Sequence, residues 1–445
     1  MRASLLQLWQ RLQASYYFIP GLMVLAAILL AGVTTWLDFS FRGEVTEVVG
    51  WFVAGRVEGA RATLGAIAGS MISVAAVTFS LTMVAVTTAS GQYGPRLIGN
   101  FMRDRVNQVT LGTFLATFIY ALLILRTVSS PGDGDAMSGL VPTIGVLTAL
   151  LFTLMSVAVL INFIHHVPET LNVGTITAKV AGKLSDRIRT GLYPSSPKLE
   201  RVAGDSLGDP FDPALCQYVE ARKAGFVQAV SLDGLVEWAQ ANAMRVRLDC
   251  GPGDFLHTGE RMMSLVQEDL SRFGDEDMDT RNARDAAVRA FIAQGAERTE
   301  YQNVLFLADE LVEICARALS PGVNDPFTAI NCIHWFGEAC VAMMDSEDPP
   351  TCLAPPDGTP RLWTRTVSLE RLCGVLWGQS RPYVANDFNA ARVALNTLHY
   401  LREQASSGDR TVIDRQIESM RLAVVQGGLT ETEKERLRAA TPIRP

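Results

Sequence analysis

Residues 62–95, ATLGAIAGSMISVAAVTFSLTMVAVTTASGQYGP, form the longest run without a charged side chain in this chain. A helix needs about 20 mostly apolar residues to cross a membrane. Three further uncharged runs, at 12–37, 106–125 and 136–164, are also long enough. A buried core helix could explain one such run but not four in succession. The sequence therefore predicts a four-helix transmembrane domain over residues 1–164.

The distribution of charge separates this membrane part from the rest of the chain. Residues 1–164 hold 9 of the 39 Lys and Arg and 7 of the 46 Asp and Glu. Residues 165–445 therefore carry 30 basic and 39 acidic side chains, a net charge of −9. The soluble part is acidic overall and contains charges of both signs. This composition excludes a basic nucleic-acid binder, a disordered chain and a small disulfide scaffold as descriptions of the whole protein.

Basic residues in the short connections predict the orientation, because they collect on the cytoplasmic side. They outnumber acids before residue 12, in the 91–105 connection and after the fourth run, whereas the 38–61 and 127–137 connections are acidic. We therefore expect a multi-pass protein of the bacterial inner membrane, with both termini in the cytoplasm and the lipid bilayer around its spans. The first run is too long for a signal peptide and is expected to be an uncleaved anchor.

Small residues of the second run fall on one side of a helix when they are placed at about 100° per residue. The members are Ala62, Gly65, Ala66, Gly69, Ser73, Ala76, Ser80 and Thr87. We call this set the small-residue face. One hypothesis is close helix packing, which small residues permit in lipid. The alternative is a polar path lined by the hydroxyl-bearing members. No Asp, Glu, Lys or Arg lies within the four runs, which argues against a charge-coupled carrier.

Three basic or titratable side chains are expected at the cytoplasmic interface, namely Arg96, His165 and His166. Arg96 follows the second run and fits ordinary positive-inside topology, with contact to anionic headgroups as the alternative. The two histidines end the fourth run. Interfacial anchoring is the preferred interpretation for them, and a pH-sensing or metal-binding role is the alternative.

Cysteine and histidine spacing gives no indication of a metal centre. All seven Cys lie after the fourth run, and an odd number without a CxxC pair is typical of free thiols in a reducing compartment. None of the five His forms an HExxH or a paired Cys/His spacing. We expect neither a metal nor a cofactor.

The soluble part divides into three segments by composition and pattern. Residues 165–215 are predicted to form a cytoplasmic helix and a Pro- and Ser-rich linker. Residues 216–270 contain short strand-like runs around one helix, and residues 271–445 show helical periodicity. The predicted fold class is therefore a membrane α-helical domain followed by a cytoplasmic α+β region with a small β module and a helical bundle.

Within the β module, PGDFLHTGERMMSLV (252–266) is similar to the second half of a barrel-sandwich hybrid, the small β fold of biotinyl and lipoyl carriers. We expect one sheet to contain both GFVQAV (225–230) and RMMSLV (261–266). The carriers need a Lys at the hairpin tip, and none lies between Lys223 and residue 266. A covalent carrier role is therefore not expected.

RALSPGVNDPFTA (317–329) is predicted to be a sharp corner between two helices, with Asp as N-cap and Pro at the first helical position. Its polar members are Arg317, Ser320, Asn324, Asp325 and Thr328. A helix start with free N–H groups, an acid and a cation suggests a site for a ligand or a cation. The simpler alternative is a corner that its own cap satisfies.

Several of these stretches together resemble a known family. The exit of the second run (90–96), GFVQAV, PGDFLHTG and the segment RTEYQNVLFLADELVEICARALSPGVNDPFTA (298–329) are similar to bacterial predicted membrane proteins classed as domain of unknown function 2254. The resemblance implies an inner-membrane protein with a few N-terminal spans and a cytoplasmic C-terminal domain. It implies no reaction.

Two hypotheses for function follow. The first is a homo-oligomeric, channel-like conduit for a small ion, with a cytoplasmic regulatory domain; four spans are too few for most monomeric transporters, so it would have to oligomerise. The second is a membrane-anchored sensory or scaffold protein whose helical domain binds a partner. An enzyme is the least favoured class, because no G-x-S-x-G, Walker loop or Cys/His signature occurs.

Overall fold

The chain consists of two compact units that divide between Thr175 and Ile176. The computed structural model describes residues 17–40, 57–94, 104–128, 141–190, 199–202, 210–267, 277–346 and 352–439. The N-terminal unit is mainly a bundle of long apolar helices, and the C-terminal unit combines two sheets with shorter helices.

Four long helices form the N-terminal unit, and each contains most of one predicted run. They are α1 (Phe18–Ser40), α2 (Val57–Tyr93), α3 (Arg105–Thr127) and α4 (Thr143–Leu171). Within the described residues, all four are long and apolar enough to cross a membrane, which confirms the prediction of four apolar helices. Helix α3 makes the most extensive contacts with the other three and therefore lies at the centre of the bundle.

Two glycines let these helices approach closely. A Cβ atom on Gly112 of α3 would lie 2.5 Å from the Met23 sulfur of α1, and one on Gly145 of α4 would lie 2.9 Å from Ile124 of α3. Real Cβ contacts are longer than this, so a larger residue at either position would push two helices apart. Small residues at such crossings are the usual basis of close packing in lipid.

Helix α5 (Val173–Thr190) follows directly after α4 and is amphipathic. From Thr177 to Ile188 its apolar and small side chains are buried at helical spacing. Arg189 pairs with Glu338 at 2.9 Å, and Asn331 donates to the Thr177 hydroxyl at 3.2 Å. Helix α5 is thereby bound to the helix that contains residues 331 and 338.

Nine strands form two sheets in the described part of the C-terminal unit, namely β1 (Glu200–Val202), β2 (Gln217–Glu220), β3 (Gly225–Val230), β4 (Met244–Leu248), β5 (Phe255–Leu256), β6 (Arg261–Gln267), β7 (Ile292–Gly295), β8 (Cys352–Ala354) and β9 (Leu362–Trp363). The larger sheet has the order β1-β8-β9-β4-β6-β2, and the smaller has the order β5-β3-β7. All neighbours pair antiparallel except β4 and β9, which are parallel.

The two sheets and helix α6 (Leu232–Ala241) share one apolar core. Val227 of the smaller sheet, Val246 of the larger and Leu235 of α6 are completely buried in it. Leu353 and Leu362, from β8 and β9, belong to the same core. The burial of these side chains holds strands and a helix that are distant in the sequence together in one α/β layer.

This arrangement differs from the one expected for residues 216–270. GFVQAV lies in the smaller sheet and RMMSLV in the larger, so the expectation that one sheet contains both is wrong. Strands at 200–202, 292–295 and 352–363 complete the sheets from outside the segment. The likeness to a barrel-sandwich hybrid is not confirmed. The short strands β8 and β9 have no clear sequence pattern, because they lie in a Pro-rich stretch between two helices.

The remaining elements are mostly helical. They are α7 (Met278–Arg289), α8 (Val304–Ala318), α9 (Pro326–Met344), α10 (Leu369–Cys373), a π-helical turn (Gly374–Gln379), α11 (Ser380–Val384), α12 (Phe388–Gln404), α13 (Ser407–Gln426) and α14 (Glu431–Ala439). Helix α9 packs against α8 and α12, and its buried Phe336 meets Trp377 of the π-helical turn edge to face, with ring centroids 5.6 Å apart.

Candidate functional site

The small-residue face of α2 points away from the core of its own bundle. The buried side chains of α2, among them Leu64, Met71 and Thr78, lie on one side of the helix. All eight members of the small-residue face are exposed. At 100° per residue the centres of the two sets are about 150° apart. Among the described residues, the face therefore has no packing partner.

Open space surrounds the two glycines of this face. Cβ atoms on Gly65 and Gly69 would meet nothing within 4 Å in the described structure. Gly112 and Gly145, which no sequence pattern singles out, make the close approaches inside the bundle instead. Gly65 and Gly69 are therefore not required for packing within the described part of the chain.

The hydroxyl groups of the face bond to their own helix. Ser73 donates to the Gly69 carbonyl at 2.9 Å, and Thr87 donates to the Met83 carbonyl at 2.7 Å. Such bonds to the preceding turn satisfy the hydroxyl proton without a partner helix. The oxygen then presents only acceptor lone pairs to its surroundings. Ser80 is exposed on the same side.

A row of buried polar side chains runs along α3 on the inside of the bundle. Thr117 shares a hydrogen bond of 3.0 Å with Ser156 of α4, and Tyr120 shares one of 2.9 Å with Thr34 of α1. Towards the start of α3 the row continues with further side chains that are at most 5% exposed, namely Asn107, Gln108, Thr110 and Thr113. Within the described ranges, the side-chain oxygen Oδ1 of Asn107 and the hydroxyl of Thr110 have no hydrogen-bond partner.

An acid–histidine pair lies at the end of the bundle where α3 begins. Asp104 caps α3 by accepting from the Val106 N–H at 2.8 Å, and its other oxygen lies 3.0 Å from His166 Nε2. His166 is half-buried, whereas His165 is exposed and lies 3.5 Å from Glu169. Arg96, the third residue expected at this interface, lies outside the described residues.

Asp38, at the opposite end, is only 8% exposed and caps the fourth helix. Its two carboxylate oxygens accept from the backbone N–H groups of Ile144 and Gly145 at 2.8 and 2.9 Å. An acid at a helix N-terminus satisfies N–H groups that have no partner within the helix. In the sequence Asp38 stands just outside the first uncharged run, and no local spacing connects it with residue 144.

The corner at 317–328 is held by its own hydrogen bonds. Asp325 caps α9, accepting from the Thr328 N–H at 3.2 Å and from the Thr328 hydroxyl at 2.6 Å. Ser320 donates its hydroxyl to the Arg317 carbonyl at 2.6 Å, and Arg317 pairs with Glu313 at 3.5 Å. Asn324 has a left-handed backbone, with φ of +50°, and is exposed. The five residues are close together, and Asp325 and Thr328 bond to each other.

In the part of the chain that the structure describes, no group of three His, Cys, Asp or Glu is placed to bind a metal ion. All seven cysteines lie in described stretches, and none is disulfide-bonded. Six are buried and Cys216 is partly exposed. Burial raises the pKa of Cys250 and of Cys315 to about 12, which keeps both thiols neutral.

A bundle of four apolar helices followed by an α/β layer and further helices is the architecture of a membrane protein with a large polar region. The chain matches the family described as "Predicted membrane protein (DUF2254)" over residues 13–400, and it belongs to that family. The match spans both units and confirms the resemblance seen in the sequence.

Curated relatives come from mycobacteria. "Uncharacterized protein Rv1290c" and "Uncharacterized protein MT1328" of Mycobacterium tuberculosis, and "Uncharacterized protein Mb1321c" of Mycobacterium bovis, are each 32% identical to this chain over 281 residues. The aligned part covers 62% of this chain and 50% of each relative, so the match spans about half of their length. No solved structure matches the chain.

Proposed function

We propose that this protein is a homo-oligomeric conduit of the bacterial inner membrane, with a cytoplasmic C-terminal regulatory domain. The second helices of neighbouring protomers meet along the small-residue face of α2. The observation that carries this proposal is the position of that face, which is exposed and lies nearly opposite the bundle core. Small side chains fill contact with lipid poorly and let helices approach closely, so a second protein surface suits them better than lipid does.

The hydrogen bonds made by the hydroxyl groups of the small-residue face favour a path for cations. Ser73 and Thr87 donate their hydroxyl protons to carbonyls of α2. Their oxygens can therefore only accept a hydrogen bond from water or coordinate a cation beside the helix. With Ser80 they offer neutral oxygen ligands along one line. Neutral hydroxyl and carbonyl oxygens without a ring of charge give weak selectivity.

The oligomer is tested by Gly69→Leu, with Gly32→Leu of α1 as the matched control. Both glycines are exposed and have open space around them in the described structure, so neither change disturbs the protomer. We expect Gly69→Leu to reduce the mass of the purified full-length protein in detergent from that of an oligomer to that of a protomer. Gly32→Leu should leave the oligomer intact. A monomeric wild type, or an oligomer that survives both changes, contradicts the proposal.

Conduction is tested in planar bilayers, together with the reactivity of single cysteines at residues 73, 80 and 87. Six native thiols are buried, so a Cys216→Ser background is sufficient. We expect a polar thiol reagent to reach the introduced cysteines and to reduce the current. If current persists while all three are unreactive and Ser156→Ala reduces it, the path follows the polar row of α3 inside each protomer instead. A silent recording contradicts a conduit.

The alternative is an anchored scaffold, and one observation favours it. Phe327 and Val323 are 78% and 44% exposed at the corner between α8 and α9. Exposed apolar side chains mark a surface that binds a protein when they belong to one contiguous patch. A silent bilayer recording, combined with loss of a co-purifying protein in Phe327→Ala, would support this second function.

A further inference from the structure

A small cavity lies where the β layer meets the start of helix α8. Its volume is about 30 Å³. The walls are the turn at 251–252, the segment 302–305, and the side chains of Arg365 and Arg371. A single water needs about 10 to 15 Å³ of such space, so the cavity accepts one small group rather than a whole cofactor.

The start of α8 contributes an electropositive wall. Val304 and Leu305 form the first turn of this helix, and both line the cavity. First-turn N–H groups have no acceptor within their own helix, and they carry the positive end of the helix dipole. The first turn contains no acidic side chain that would neutralise it. Both residues are at least 92% buried.

Asn303 adds a buried donor to which the described residues offer no acceptor. It is 3% exposed and caps α8, with its Oδ1 accepting from the Phe306 N–H at 3.1 Å. That bond fixes the orientation of the amide and turns Nδ2 to the other side. Nδ2 has no hydrogen-bond partner within the described ranges. A buried donor without an acceptor is unfavourable, and an acceptor oxygen of a ligand would remove that cost.

Two arginines complete the charge of the site. Arg365 and Arg371 both bond to Asp254, at 3.2 Å from its Oδ2 and Oδ1 respectively. The same carboxylate accepts from the Gly251 N–H at 2.9 Å and so fixes the turn that forms the opposite wall. Two guanidinium groups therefore lie beside the cavity and share this carboxylate. Asp249, which follows β4, accepts from the Ser264 hydroxyl at 2.6 Å and pairs with Arg247 at 3.3 Å.

We infer that this cavity is an anion-binding site that takes a phosphate group. A helix N-terminus, a buried amide donor and two guanidinium groups are the partners that phosphate oxygens use in proteins. The volume fits the phosphate end of a ligand whose remainder lies outside the opening. The site stands independently of the proposed conduit, because all its residues belong to the C-terminal unit.

The experiment is a titration of the purified full-length protein in detergent with inorganic phosphate, at ionic strength matched with chloride. We expect a saturable rise in the temperature of unfolding. Asn303→Asp separates the two roles of this residue, since Asp caps a helix as well as Asn but offers no amide donor and adds negative charge. It should weaken the apparent phosphate affinity about tenfold or more while the protein still folds.

Arg371→Gln should weaken the response in the same way, whereas Arg438→Gln, which removes an exposed arginine of α14, should not. A wild type without a saturable response overturns the inference, and so does a response that is equal in Asn303→Asp, Arg371→Gln and wild type. The source of the phosphate is then settled by comparing glycerol 3-phosphate with phosphatidic acid in mixed micelles. Competition by the first identifies a soluble phosphoester, and competition by the second alone identifies a lipid headgroup.

Discussion

The carboxylate of Asp38 accepts a hydrogen bond of 2.9 Å from the backbone N–H of Gly145, although 107 positions separate the two residues. The bond joins the end of the first helix to the start of the fourth. It fixes the register of two helices that are apolar along most of their length and therefore have few other directional contacts.

Loss of this cap should destabilise the N-terminal unit. We expect Asp38→Ala to cost about 1–2 kcal/mol, because two N–H groups of α4 lose their acceptor. Asp38→Asn should cost less, because its amide oxygen can keep one of the two bonds while its NH2 group cannot accept the other. Unfolding in mixed detergent with increasing SDS measures the difference. Equal stability of Asp38→Ala and wild type would mean that water caps α4 equally well.

The corner at Asp325 offers a test between a cap and a ligand site. Asp325→Ala should lower the free energy of unfolding by about 1 kcal/mol or more, since the Thr328 N–H loses its acceptor. Asp325→Asn keeps an acceptor and serves as the control. If stability does not change and only the binding of a ligand is lost, the site interpretation replaces the cap.

Gly253 should be intolerant of any side chain. Its φ is +96°, and a Cβ atom would lie 2.1 Å from Asn303 Nδ2. Gly253→Ala therefore combines backbone strain with a collision, and we expect it to cost more than about 1 kcal/mol. At Gly259 the φ is +84°, and an added Cβ would have no described atom within 4 Å, so Gly259→Ala introduces backbone strain without a collision. The difference in thermal stability between the two Ala variants isolates the contact with Asn303.

The native thiols should differ sharply in reactivity. Burial raises the pKa of Cys352 to about 11 and holds the pKa of Cys332 well above its usual value. The hydrogen bond that the neutral Cys373 thiol shares with Cys340, together with burial, raises the pKa of Cys373. Because the thiolate is the reacting form, these groups should resist a thiol reagent at pH 8.

Only Cys216 should be labelled in the folded protein, and all seven thiols should be labelled in denaturant. Intact mass spectrometry counts the adducts, with Cys216→Ser as the control. Labelling of Cys340 and Cys373 in the native state would show that the helical core around them opens.

The helices of the membrane unit are well predicted from the sequence because each is specified locally, by the length of an uncharged run. The start of α9 at Asp325 and Pro326 is equally predictable, since the pattern is contained in a few residues. The sheets are predicted less well. GFVQAV has the pattern of a strand, but its partners at 255–256 and 292–295 are very short, and pairing between distant strands leaves no local pattern.

The same limit applies to the sites. The small-residue face is visible in the sequence because helical periodicity alone defines it. The proposed phosphate site is not, because Asn303, Arg365 and Asp254 come from three separate segments that only the packing of the β layer brings together. The polar row of α3 leaves a weak signal in Asn107 and Gln108, two amides at the start of an otherwise apolar run.

Helix α2 has 37 residues, which at 1.5 Å per residue gives a length of about 55 Å. The hydrocarbon layer of a bilayer is only about 30 Å thick. Tilt within the usual range of up to about 40° does not absorb such an excess, so part of this rod extends beyond the acyl chains or bends the bilayer around it. Packing against neighbouring helices, rather than the lipid alone, sets the tilt of α2. The ends of this helix therefore meet headgroups or water, and its charged first turn, with Glu58, is suited to that environment.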